Sequence, residues 1–123
     1  MTLDLGSLQE VRNFADKFKQ KYDRLDVLIN NAGLLTLFVF LTFFLGMVSD
    51  VPGRTVDGFE KHFAIMHLGH FLLTMLLLPL LQKTKESRVI NVASEAHRLG
   101  SAELLEAKNF TSMNAFSIIF HMF

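Results

Sequence analysis

A chain of 123 residues, half of them hydrophobic, has material for one modest core and too little for two independent domains. Twelve Lys plus Arg balance twelve Asp plus Glu, and this zero formal charge points away from a nucleic-acid backbone or a strongly acidic surface as partner. With no cysteine, a disulfide framework and a thiolate zinc site are both excluded, and a reducing compartment is favoured.

In chain order, Met1 to Asp4 lack the basic-then-apolar order of an export signal. Ser7-Leu8-Gln9-Glu10 predicts a capping box, with the Ser7 hydroxyl on the Glu10 amide and the Glu10 carboxylate reaching back to the Ser7 amide. The helix it starts at Leu8 carries Leu8, Val11, Phe14, Ala15, Phe18 and Tyr22 as one apolar stripe. Lys17, Lys19, Lys21 and Arg24 fall on or near the solvated side and the end, where positive charge suits the helix dipole.

Leu25 to Ile29 is a short apolar run with little alternation, bounded by Asn30-Asn31-Ala32-Gly33. It predicts a strand covered on both faces, as in a parallel sheet flanked by helices. Asp57-Gly58-Phe59-Glu60 offers a second cap, and Phe59, Phe63 and Met66 share a face of the helix or bent pair that runs on towards Lys83. Arg88 to Val92 repeats the buried-strand pattern. Helix, strand, helix, strand with short turns is the grammar of a doubly wound α/β sheet, here an incomplete one. After Gly100 the pattern weakens: Ser101 to Lys108 is compatible with a helix, and Asn109 to Phe123 has no clear assignment.

Two uncharged stretches approach the length of a membrane span, Val27 to Ser49 and His62 to Gln82. The second contains three histidines and Pro79 and reads as a buried helix. The first contains Asn30 and Asn31, which leaves Leu34 to Val48, short for a span but open to a membrane-attached reading. His62, His67 and His70 are joined by no cysteine and no clustered carboxylates, so no metal site is assigned.

Five blocks in order, Leu3-Asp4-Leu5, Leu25 to Gly33, Thr55 to Phe59, His67 to Thr74 and Arg88 to His97, resemble the short-chain dehydrogenase/reductase family, particularly its retinol-dehydrogenase-like branch. The resemblance covers most of residues 1–100 and implies a Rossmann-like domain that interconverts an alcohol and a carbonyl with NAD or NADP. It places Asp4 against the adenine amino group and Asn30, Asn31, Ala32 and Gly33 along the adenine–ribose side. Small residues suit a close approach of cofactor to backbone. Ser94 matches the serine that hydrogen-bonds the substrate oxygen, where a fixed donor stabilises charge arising during hydride transfer. From the residues alone, Asp4 reads equally as a turn acid, the asparagines as strand-ending residues and Ser94 as a helix cap.

Other parts of the family pattern are missing. The seven glycines are too far apart for a Gly-x-Gly phosphate loop. The one tyrosine, Tyr22, precedes Ser94, and Lys108 is the only lysine after it, so there is no Tyr-x-x-x-Lys proton donor; Phe116 falls near the tyrosine position. Met66 stands where the family has an asparagine. Residues 33–57 exceed the family length by roughly a dozen, the excess being the apolar run at 37–50, for which read-through of intronic or alternative-exon sequence is one origin. The expectation is therefore a partial, inactive copy of an intracellular enzyme, cytoplasmic or associated with the endoplasmic reticulum membrane. The competing reading is a non-catalytic interaction module that pairs, as a homo-oligomer or with a partner, through the apolar helix at residues 71–81.

Overall fold

Helix α1, Leu8–Lys21, begins because Ser7 leaves the helical conformation at φ −127° and accepts the Glu10 amide on its hydroxyl at 3.3 Å. In the computed structural model, which describes residues 1–33 and 53–93, the other half of the expected capping box does not form. The Glu10 carboxylate accepts from Asn13 Nδ2 at 3.1 Å, and the Ser7 amide donates to the Asp4 carbonyl at 3.4 Å. The apolar run at 37–50, Ser94 and the tail at 101–123 lie outside the described residues.

The expected stripe is the buried side of α1. Val11 and Ala15 are fully buried, Phe14 and Phe18 pack around them, and Tyr22 lies exposed at the helix end against the Phe18 ring. Burying a side chain such as Val11 contributes about 1.5–3 kcal/mol. Its main partner is the second helix, α2, Lys61–Lys83. Leu73 and Leu77 of α2 meet Leu5, Val11 and Ala15 to form the core.

Glu60 starts α2 by accepting the Phe63 amide at 2.8 Å, and the first turns pass through a π-helical segment, Ala64–Leu68, into the regular stretch Gly69–Lys83. Asp57, expected to cap α2, instead accepts the Leu8 amide at 2.8 Å and so supplies an acceptor to the start of α1. The reason is geometric: the Thr55-to-Gly58 turn, closed by a Gly58 amide bond to the Thr55 carbonyl with Gly58 at φ 83°, brings Asp57 to the first turn of α1. Glycine is also required at position 69, because a Cβ there would lie 2.6 Å from the Leu5 carbonyl oxygen. At the far end Thr84 ties helix to sheet: its hydroxyl donates to the Leu80 carbonyl at 2.8 Å and accepts the Leu25 amide at 3.0 Å.

Strands β1, Val27–Asn30, and β2, Arg88–Asn91, pair in parallel with Leu28 opposite Val89 and Asn30 opposite Asn91. The chain passes between them through α2, the crossover that parallel pairing demands. Side chains alternate, so Leu28 and Asn30 face the helices while Val27 and Ile29 point away. Among the described residues the expectation of strands covered on both faces is not met: Ile29 is 58% exposed and Ile90 45%. The described residues bring helices to one face only.

Candidate functional site

The parallel strands end together, and their carboxyl ends are where open α/β sheets bind ligands. The ladder continues one bond past the strands, the Val92 amide donating to the Asn30 carbonyl at 3.0 Å. Above it lies a cavity of about 280 Å³ lined by Asn30, Met66, His67, His70, Phe71, Thr74, Asn91 and Val92.

Asn30 is the most buried polar group of this edge, 7% exposed. Its Nδ2 donates to Thr74 Oγ1 at 3.0 Å and to Asn91 Oδ1 at 2.8 Å, while the Thr74 hydroxyl donates to the His70 carbonyl at 2.8 Å. One side chain thus joins the ends of both strands to α2. Among the described residues, the Asn30 Oδ1 is buried without a hydrogen-bond partner. Asn31, Ala32 and Gly33 are exposed beyond it, and Gly33 passes so close to α2 that an added Cβ would lie 3.3 Å from the Met66 methyl. Asp4 is exposed but committed locally, its Oδ1 accepting the Gly6 amide at 2.8 Å in the turn before α1.

The histidines are separated by role. His62 is buried with Nδ1 2.8 Å from Glu60 Oε1, and its Nε2 has no partner among the described residues. Burial alone would raise the Glu60 carboxyl, but the hydrogen bonds from His62 and the Phe63 amide outweigh it and hold the group below its ordinary range. His70 directs Nδ1 to the Met66 carbonyl at 3.0 Å, which fixes the hydrogen on that nitrogen. His67 is exposed and stacked between Phe63 and Phe71.

The structure therefore gathers Asn30, Asn31, Ala32 and Gly33 at one edge, with Asp4 at the start of α1 and Ser94 beyond the described residues. Thr74 and Asn91 were not among the expected site residues. The available signal was an asparagine closing each apolar strand, Leu-Ile-Asn and Val-Ile-Asn, which parallel pairing sets side by side.

A sequence profile of short chain dehydrogenases matches residues 1–105. The chain belongs to the short-chain dehydrogenase family. Within it, the chain is retinol-dehydrogenase-like: it is 41% identical to retinol dehydrogenase 12 of Mus musculus over 98 residues, covering 80% of this chain and 27% of that protein. It is 42% identical to retinol dehydrogenase 14 of Homo sapiens over 113 residues, covering 92% and 28%. The chain thus spans little more than a quarter of the length of these relatives. Among solved structures, one of a protein from Mycobacterium paratuberculosis superposes with a TM-score of 0.67 at 36% identity, covering 97% of this chain and 37% of that one. The Pseudomonas aeruginosa RhlG/NADP active-site complex gives 0.57 at 27% identity, covering 98% and 43%. The matched structures share the Rossmann-type α/β arrangement, of which β1, α2 and β2 form one parallel unit.

Proposed function

We propose that this chain is part of an NAD- or NADP-dependent oxidoreductase that interconverts an alcohol and a carbonyl, and that the 123-residue polypeptide does not catalyse the reaction by itself. The observation that carries the reading is the strand edge at Asn30 to Gly33, lying within a stretch that matches the family over residues 1–105. Exposed Asn31, Ala32 and Gly33 leave backbone open to the adenine–ribose half of a dinucleotide, and exposed Asp4, one oxygen of which accepts the Gly6 amide, keeps acceptor capacity for an adenine amino group. The Asn30 side chain faces inward, so its part in this reading is to position the strand end rather than to touch the cofactor.

The residues present do not fit the whole cofactor. The 123 residues contain no glycine-rich turn to hold a pyrophosphate and no Tyr-x-x-x-Lys pair to donate a proton. Ser94 is proposed as the hydrogen-bond donor to the substrate oxygen. Titration calorimetry of the purified chain with NAD, NADH, NADP and NADPH, run beside turnover assays with all-trans-retinol and simple carbonyls, tests the reading. Weak or absent binding and no turnover are expected. Turnover that disappears in Ser94→Ala would overturn the claim of inactivity.

A second reading is favoured by the outer side of α2. Phe71 is 59% exposed and Met75 48%, one turn apart on a helix that is long and apolar enough, by length and composition, to cross a membrane. Both exposures support self-association through residues 71–81, or attachment to a membrane, as a role independent of turnover. Sedimentation of the chain alone and with lipid vesicles separates the two.

A further inference from the structure

We draw no further inference here: the strongest candidate, the outward face of the β1–β2 pair where Val27, Ile29 and Ile90 stand exposed, carries nothing because nothing in the structure shows what covers it.

Discussion

Thr74→Val removes one acceptor from the asparagine that joins both strands to α2 and changes little else. Valine keeps the branched shape, and its helix propensity is close to that of threonine. Asn30 Nδ2 has two hydrogens and two acceptors, Thr74 Oγ1 and Asn91 Oδ1, at 3.0 and 2.8 Å. With Thr74 gone, one hydrogen is left without a partner in a side chain only 7% exposed. Rotating the amide does not rescue it. The exposed Asn91 can turn to donate to Asn30 Oδ1, but then the Asn30 NH₂ sits where the oxygen has no partner among the described residues. Either arrangement leaves a buried N–H unsatisfied, which costs about 1–3 kcal/mol. The lost bond to the His70 carbonyl adds little, because that carbonyl also accepts within the helix.

Asn91→Ala removes the other acceptor at an exposed position where water substitutes, so it should cost less, about 0.5–1.5 kcal/mol. Urea unfolding of the 123-residue chain, followed by circular dichroism for wild type, each single variant and the double variant, measures these quantities. The two changes share Asn30 and should not add. If Thr74→Val stays within about 0.5 kcal/mol of wild type, the range of an uninvolved surface change, the network does not hold the strand ends together.

Gly69→Ala gains about 1 kcal/mol of helix propensity. It also places a methyl 2.6 Å from the Leu5 carbonyl oxygen, a backbone atom that cannot swing aside, and such overpacking costs about 1–3 kcal/mol. A lowered melting temperature is expected, and a raised one would show that α2 and the Leu5 segment are not packed this tightly. Glu60→Gln should cost about 1 kcal/mol at neutral pH by weakening the cap of α2. Because folding lowers the Glu60 pKa from its ordinary value of 4.5, the stabilisation is present above that value and is lost as the pH falls through the lower folded value. The stability gap between wild type and Glu60→Gln should therefore close in acid; a gap constant across that range would mean the carboxylate charge is irrelevant. Phe71→Glu combined with Met75→Glu should shift a self-associating chain towards monomer in sedimentation velocity while leaving the core at Leu73 and Leu77 untouched. An unchanged distribution would remove the self-association reading.

The sequence by itself determined the elements whose causes are local. Ser7 lies three residues from the amide it caps, and the stripe of Val11, Phe14, Ala15 and Phe18 repeats at the helical period, so both are visible in a short window. The two apolar runs Leu25 to Ile29 and Arg88 to Val92 are likewise legible as parallel strands, and the order of five blocks carries the family resemblance. Tertiary structure alone decided the polar partnerships that span long stretches of chain. Asp57 caps a helix 49 residues earlier in the chain, and Asn30 reaches Thr74 and Asn91 across 44 and 61 residues. It also decided that Asn30 faces the helices and that Ile29 and Ile90 remain uncovered among the described residues. A side chain's local spacing limits what it can reach within its own turn or strand, whereas a hydrogen bond over such separations exists only once α1, α2 and the sheet have packed, and no local period encodes it.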